Sequence, residues 1–308
     1  PAQRFDVDRA LPAGQTGDTV FVRITHVLDD SKSGSRHDSI GITMRNLAKQ
    51  FFTRGWCRFD HDPELNQWIE AALVSARACL RDPQQKKWLR YRGTWFAGVN
   101  ALPNDDSGAV DGSGALRGRA IDFIGHELEL VHFTWDRAQV SVCYPGYPKP
   151  MAGESAAKTR YRRERDAAHV DGLLPEGPQR RRHLREHHGF ILGLPMVEFD
   201  AGASPFVVWE ESHEIMRESF AQCFTDIPVE LWGEQDVTEV YHAAREQVFA
   251  ECKRVEIHAR PGEAFLAHRL LLHGMAPWRE GAQAGPDARM ICYFRPDPFG
   301  PYEWLHNP

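Results

Sequence analysis

The sequence predicts a mainly β protein with flanking α-helices, in which the strands form a double-sheet jelly roll. From about residue 95 onward, short runs of apolar and β-branched residues alternate with loops rich in Gly, Pro and Asp. Hairpin turns are few, which favours a jelly roll over a parallel α/β sheet. The chain contains neither a GxGxxG nor a Walker sequence, so a nucleotide-binding α/β fold has little support.

Two helices are predicted ahead of the β region, as a helical flank over about 39–92. The first has apolar residues at helical spacing and is followed by Gly55, which is placed to end it. The second begins with Asp62 as its N-cap and Pro63 in its first turn. Its apolar stripe consists of Leu65, Trp68, Ile69, Ala72, Leu73, Ala76 and Leu80.

The β region is predicted to form the core over about 95–300, and we expect the chain 1–308 to be a single domain. Helical periodicity interrupts the strands, which predicts a helical insertion over about 212–254. The insertion could be a lid, a dimer face or simple packing. The strands are predicted over 139–144, 189–199, 205–209, 255–259, 263–268 and 289–295.

Composition limits the classes of partner. The net charge is −6, from 37 basic and 43 acidic residues, so we expect no nucleic-acid partner and no anionic membrane partner. No run of about 18 apolar residues is present, and the first residues lack an apolar signal segment. The six cysteines form no CxxC pair, so we expect free thiols and a cytoplasmic protein. The sequence does not indicate an oligomeric state.

One tripeptide has the spacing of a metal site. His169-Val170-Asp171 is the single His-x-acid sequence in a chain with 15 histidines. A strand projects residues i and i+2 to one face, so both side chains could bind one ion. Imidazole nitrogen with carboxylate oxygen suits Fe(II), Mn(II), Co(II) or Zn(II). A chain with this many histidines is expected to contain such a tripeptide by chance, so further ligands are needed.

His273 is the expected third ligand. It ends an apolar strand that begins at Gly262, and it is followed by Gly274, where a backbone could pass close to a cofactor. His268 is the alternative. The odd spacing between the two histidines places them on opposite faces of an ideal strand, so only one could face the metal. Two imidazoles and one carboxylate form the facial triad of non-haem Fe(II) oxygenases.

An arginine opens the next predicted strand. The planar fork of Arg289 could hold a carboxylate through two charge-assisted hydrogen bonds. Arg295 lies on the same strand face and is the alternative anchor. In a third interpretation, both arginines form salt bridges with surface acids.

These residues resemble the phytanoyl-CoA dioxygenase-like family of Fe(II)/2-oxoglutarate-dependent oxygenases. The matching order of segments extends from roughly residue 139 to 295, about half of the chain. The loop 275–288 is longer than is usual in the family, so Arg295 stays the alternative to Arg289. The likeness is carried by Ala168-His169-Val170-Asp171-Gly172, by 202–213 with its terminal Ser212-His213, and by 262–274 with its terminal His273-Gly274.

The resemblance implies a double-stranded β-helix in which His169, Asp171 and His273 are the catalytic iron ligands. It implies Fe(II), O2 and 2-oxoglutarate as cofactor and cosubstrates, with the far carboxylate of 2-oxoglutarate on Arg289. The expected reaction is hydroxylation or desaturation of a small molecule, with release of succinate and CO2. Related halogenases carry a small residue in place of Asp171, so halogenation is not expected.

The remaining candidate site residues are proposed because of where they lie along the chain relative to the predicted strands and the HxD sequence. Gln139 and Ser141 could reach the keto acid from their strand. Trp95 could form a pocket wall or belong to the core, and Tyr144 and Tyr147 could contact substrate or pack within a loop. Arg163 belongs to one of two basic segments, 160–165 and 180–185, that flank the HxD sequence. These segments could bind an anionic group of the substrate or form a solvated basic face.

Two other functions stay open from the sequence. One is a cupin-type metalloenzyme that does not use 2-oxoglutarate, which would need no Arg289. The other is a non-catalytic, ligand-binding jelly roll in which the triad is incidental.

Overall fold

The computed structural model describes the backbone of residues 36–308 and the side chains from Met44 onward. Two short 3₁₀ helices, Pro83–Trp88 and Val229–Glu234, join the regular elements. The α-helices are α1 (Arg36–Arg54), α2 (Pro63–Arg81), α3 (Arg119–Glu127), α4 (Ala156–Glu164), α5 (Ser212–Phe224), α6 (Thr238–Glu251) and α7 (Pro301–His306). The strands are β1 (Trp56–Phe59), β2 (Leu89–Arg90), β3 (Trp95–Phe96), β4 (Gln139–Cys143), β5 (Leu173–Glu176), β6 (Arg181–Leu184), β7 (Phe190–Pro195), β8 (Phe206–Trp209), β9 (Arg254–Ile257), β10 (Ala264–His268), β11 (His273–Met275) and β12 (Arg289–Phe294).

Two antiparallel sheets form the centre of the protein. The larger has seven strands in the order β1-β10-β7-β12-β4-β3-β2, and the smaller has the order β11-β8-β9. A backbone bridge between His169 and His273 extends the smaller sheet. Along the chain, β4, β7, β10 and β12 lie in the larger sheet, whereas the His169 segment, β8, β9 and β11 lie in the smaller one. This alternation is a double-stranded β-helix, so the predicted fold class is confirmed.

The inner faces of the two sheets pack against each other. Phe206 of β8 stacks on Phe265 of β10, with ring centroids 4.9 Å apart, and it also contacts the ring of Tyr293 on β12. Successive residues of both strands point to opposite faces of their sheets, and every residue of the two strands is buried. The inner core also contains Ile191, Val208, Ile257, Ala267 and Ile291.

The first three helices cover the outer face of the larger sheet. The side chain of Asp62 caps α2 by accepting a hydrogen bond from the Glu64 amide at 3.0 Å, and Pro63 follows in the first turn. The predicted apolar stripe faces the sheet, and Trp68 contacts Phe294. Burying an aromatic side chain of this kind contributes about 1.5–3 kcal/mol.

The helices of the region 212–254 pack on the outer face of the smaller sheet. Met216 and Phe220 of α5 and Tyr241 and Val248 of α6 are fully buried there, in one cluster with Val207. The described structure therefore supports the packing interpretation of this insertion. All six cysteines are free, and four of them are buried. In the described residues no helix is both long and apolar enough to span a bilayer.

Candidate metal centre

Two backbone segments bring three side chains of ligand type together. In the bridge between them, the His169 amide donates to the His273 carbonyl at 2.8 Å, and the reverse bond measures 3.0 Å. Asp171 follows two residues after His169, so it projects to the same side. Each member of this triad (His169, Asp171, His273) offers one ligand atom, and these atoms all lie within 4.8 Å of one another.

Backbone carbonyls orient both imidazole rings of the triad. Nδ1 of His169 lies 3.0 Å from the carbonyl oxygen of Ala167, and Nδ1 of His273 lies 2.9 Å from that of Leu271. A carbonyl only accepts, so each Nδ1 donates its proton and each Nε2 presents a lone pair. The two Nε2 atoms face the Asp171 carboxylate at 3.3 and 3.7 Å. Lone pairs and a carboxylate that face one another repel unless a cation lies between them, so this donor set fits a divalent metal.

The protonation states of the triad also suit a metal. Burial, reinforced by the neighbouring His169 ring, lowers the pKa of His273 to about 4, so its imidazole is neutral near pH 7. Burial opposes ionisation of Asp171. The charge of Arg295, as the largest of the opposing effects, holds the pKa of Asp171 well below its ordinary value. A neutral imidazole and an ionised carboxylate are the forms that coordinate metals.

Arg295 forms a buried ion pair with the triad carboxylate. Its guanidinium NH1 lies 3.0 Å from Oδ2 of Asp171, whereas Oδ1 of Asp171 is the oxygen nearer to His169. Asp136 fixes the backbone at this point by accepting from the Arg295 amide at 2.8 Å. The pair therefore restrains one carboxylate oxygen and leaves the other free to bind a metal.

Arg295→Gln is expected to destabilise the metal-free protein by about 3–5 kcal/mol, because it leaves the Asp171 carboxylate buried without a partner. Co(II) would replace the missing positive charge, so it should restore more unfolding free energy in the variant than it adds to wild type. Denaturant unfolding with and without Co(II) measures both effects. Arg279→Gln is the control, because it breaks an exposed pair with Glu256 and should cost at most about 1 kcal/mol. Equal Co(II) effects in wild type and Arg295→Gln would contradict this role.

His268, the alternative third ligand, lies away from the triad. It is buried at the end of β10, where its ring packs against those of Phe51 and His213. The Arg217 guanidinium contacts its Nε2 at 3.0 Å. Residues 269–272 form a turn, so His268 and His273 lie on strands of different sheets. The expectation that His268 faces elsewhere agrees with the structure, but the reason is the turn and not strand parity.

Gly274 is required by the packing of two backbones. A Cβ atom at this position would clash with the carbonyl oxygen of Asp166 and would lie 3.3 Å from the Cα of Ala168. The glycine thus lets the segment before His169 approach β11 closely enough for the bridge to form. Gly274 also lines the cavity beside the triad, and its making room for a cofactor stays a prediction.

A cavity of about 340 Å³ opens beside the triad. The triad and Arg295 line it, and so do four more of the residues predicted for the site: Trp95, Gln139, Ser141 and Tyr147. The sequence did not point to several others, and these are Tyr91, Asp166, Ile191, Phe206 and Tyr293. The last of these could have been found, because Tyr293 shares its strand face with Arg289.

Tyr144 and Arg163 do not line this cavity, so their assignment to the substrate is not supported. Ser141 faces the cavity from β4, so Tyr144, an odd number of residues further along, projects to the other side and packs against the outer core. Arg162 is the buried arginine of α4, and Arg163, one residue further round the helix, is exposed to solvent.

Three of the eight arginines in the two basic segments form ion pairs with acids of this chain. Arg162 forms an ion pair with Glu154, which lowers the pKa of that carboxyl to about 2. Arg181 pairs with Asp236 and Glu239, and Arg185 pairs with Glu176. No residue of either segment lines the cavity, so the structure favours a solvated basic face over a site for an anionic substrate group.

Arg289 is buried next to Tyr293 of the cavity wall, and two of its three guanidinium nitrogens make no hydrogen bond. The side chain is 0% exposed, and its NH2 donates to the Tyr293 hydroxyl at 2.8 Å. Its Nε and NH1 are buried without a hydrogen-bond partner, and no carboxylate in the part of the chain described by the structure pairs with it. An unpaired buried cation is costly, so this position fits an anionic ligand.

Comparisons with known proteins give likeness at the level of solved structures. No protein-family model matches the chain, and no curated protein matches it. The chain is similar to SnoK, a non-haem α-ketoglutarate-dependent carbocyclase from nogalamycin biosynthesis, at 11% identity and a TM-score of 0.47, over 82% of this chain and 83% of that chain. It is similar to AviO1 from Streptomyces viridochromogenes at 11% identity and a TM-score of 0.43, over 83% and 96%.

EctD from S. alaskensis, solved with 2-oxoglutarate and 5-hydroxyectoine, is similar at 14% identity and a TM-score of 0.42, over 82% of this chain and 75% of that chain. Identities this low, with TM-scores below 0.5, do not carry the reactions or ligands of these enzymes over to this chain.

Proposed function

We propose that the chain is a non-haem Fe(II)- and 2-oxoglutarate-dependent oxygenase that acts on a small molecule. The observation that supports this most strongly is the buried guanidinium of Arg289, with two unpaired nitrogens, at the start of β12, the strand that leads into Arg295, the partner of Asp171 in the triad. A metal site without a keto acid would not need such a cation. If Arg289 had a purely structural role, we would expect a carboxylate of the protein to pair with it.

The triad fits Fe(II) by the chemistry of its donors. Two neutral imidazoles and one carboxylate occupy three coordination positions and leave three for other ligands. The triad lies at the wall of the cavity, so those positions are open to a bidentate keto acid and to O2. The fixed Nδ1 contacts with Ala167 and Leu271 would hold both rings in the ligating orientation.

Residues of β4 and β12 fit the keto acid. An unpaired nitrogen of Arg289, Nε or NH1, would receive the far carboxylate together with the second proton of NH2, beside the Tyr293 hydroxyl. Ser141 accepts a hydrogen bond from Trp95 at 3.0 Å and keeps its own proton to donate. Gln139 donates its amide to the carbonyl of Ala97 at 2.8 Å and keeps its carbonyl oxygen free. We assign both residues to the cosubstrate side of the cavity.

When bound, the metal, 2-oxoglutarate and O2 supply the oxidising chemistry, in which substrate hydroxylation or desaturation accompanies release of succinate and CO2. The chain contributes binding and orientation. Arg289 would fix the keto acid, and the Arg295 pair would restrain Asp171. Phe206, whose ring stacks on that of His273 at 5.4 Å, and Ile191 would exclude water beside the triad.

Formation of succinate from 2-oxoglutarate tests the proposal. The purified protein with Fe(II), O2 and 2-oxoglutarate should produce succinate slowly without substrate, and Asp171→Ala should produce none above background. A cupin-type enzyme that does not use 2-oxoglutarate would bind metal and release no succinate. A non-catalytic jelly roll would do neither. Either of the last two results would replace the proposed function.

A further inference from the structure

We infer that the cavity selects an uncharged small molecule with a flat ring, and that it discriminates against charged analogues of the same size. The reaction at this cavity rests on the proposed function. The selectivity for an uncharged ring is argued from the residues of the cavity wall alone. It replaces the anionic substrate that the basic segments suggested.

The first step is the balance of charge at the cavity wall. The ionised side chains that line the described part of this wall are Asp166, Asp171 and Arg295. Both oxygens of Asp166 accept from Arg254, at 2.6 and 2.9 Å, and Asp171 pairs with Arg295. A charged substrate would therefore lose its hydration without gaining a counter-ion, which disfavours its binding.

The second step is the aromatic wall, formed by Tyr91, Trp95 and Tyr147. The rings of Tyr91 and Trp95 are nearly parallel, at 7° with centroids 5.7 Å apart. The ring of Tyr147 stands at 64° to each of them, at 5.9 and 6.4 Å. A flat ring can meet such a surface either offset-stacked or edge to face, which are the two favoured geometries of aromatic pairs.

The aromatic wall is also held in place before any ligand arrives. The indole Nε1 of Trp95 donates to Ser141 at 3.0 Å. Tyr147 is buried, and its carbonyl accepts from the Trp278 amide at 2.9 Å. The guanidinium of Arg162 lies 3.9 Å from the Tyr91 ring centroid and is itself paired with Glu154. Such preorganisation lowers the entropic cost of binding a rigid ring.

The third step is size. A volume of about 340 Å³ is near the lower limit of about 300–1,000 Å³ for ligand cavities, and 2-oxoglutarate would share it. The wall near the triad is apolar as well, with Phe206, Ile191 and Met275. These dimensions suit a compound of one or two rings.

Three probes with the same ring and different charge test the inference: 2-naphthylmethanol, 2-naphthoate and 2-naphthylmethylammonium. Equilibrium dialysis against the anaerobic protein with Fe(II) and 2-oxoglutarate measures each Kd. We expect 2-naphthylmethanol to bind at least about tenfold more tightly than either charged probe. Trp95→Ala should weaken its binding about tenfold, as expected for the loss of an aromatic contact, and Trp95→Phe should restore most of it. Trp88→Ala, outside the cavity, is the control.

Failure of this inference can be separated from failure of the proposed function. The dialysis measures binding and requires no turnover, so the preference for the uncharged probe should persist there even if no succinate is ever formed. Equal or tighter binding of a charged probe would overturn the inference. So would undetectable binding of all three probes, or a Trp95→Ala variant that binds 2-naphthylmethanol as well as wild type does.

Discussion

Asp171→Ala is expected to weaken metal binding by more than about 100-fold. Loss of a residue that merely supports a ligand typically costs 10- to 100-fold in metal affinity, and Asp171 is the single carboxylate of the triad. Without it, two neutral imidazoles and the positive charge of Arg295 would face the ion. Anaerobic titration with Co(II), followed by its visible absorption, gives the dissociation constant.

The histidines provide a matched pair of variants for the same titration. His273→Ala should lose Co(II) binding as Asp171→Ala does. His268→Gln should keep the dissociation constant within about threefold of wild type, since its ring contacts Phe51, His213 and Arg217 and not the triad. The unfolding midpoint of each variant shows whether it is folded. Retained Co(II) binding in a folded Asp171→Ala protein would remove Asp171 from the metal site.

Arg289→Met is expected to raise the Kd of 2-oxoglutarate by about 100-fold or more. Two charge-assisted hydrogen bonds contribute about 1.5–3 kcal/mol each, and the variant would lose both. Arg289→Lys, which keeps the charge but not the planar fork, should fall between the variant and wild type. Calorimetric titration of the Co(II)-loaded protein with 2-oxoglutarate measures all three.

The same variant separates a ligand anchor from a structural residue. Because Arg289 is buried without an acidic partner in the described chain, Arg289→Met should leave the ligand-free protein equally stable or more stable. Arg295→Gln, which breaks an existing pair, should destabilise it. An Arg289→Met protein that is strongly destabilised and still binds 2-oxoglutarate normally would contradict the assignment of Arg289.

The sequence was most informative where local spacing decides the geometry. Asp62 and Pro63 marked the start of α2, and the i, i+2 spacing of His169 and Asp171 placed both side chains on one side of a segment. The preference for His273 over His268 agrees with the structure, although the sequence did not predict the turn over 269–272. These features could be predicted because residues close together in the chain determine them.

Features that depend on distant contacts could not be predicted. Tyr91 reaches the cavity from a turn with a positive φ of 51°, next to the short pair β2–β3. The roles of Arg289 and Arg295 differ through their partners: a carboxylate far away in the chain holds the second, and none in the described residues holds the first. The sequence pattern fits either arginine equally well, so only the three-dimensional structure distinguishes the role of Arg289 from that of Arg295.

The proposed function is tested most directly by adding Fe(II) and then 2-oxoglutarate to the oxygen-free protein. Chelation of the iron by the keto acid should produce a weak visible charge-transfer band that neither component gives alone. The band should be absent in His273→Ala and should require far more 2-oxoglutarate in Arg289→Met. A wild-type protein that binds Fe(II) and shows no band at saturating 2-oxoglutarate would contradict the proposed function.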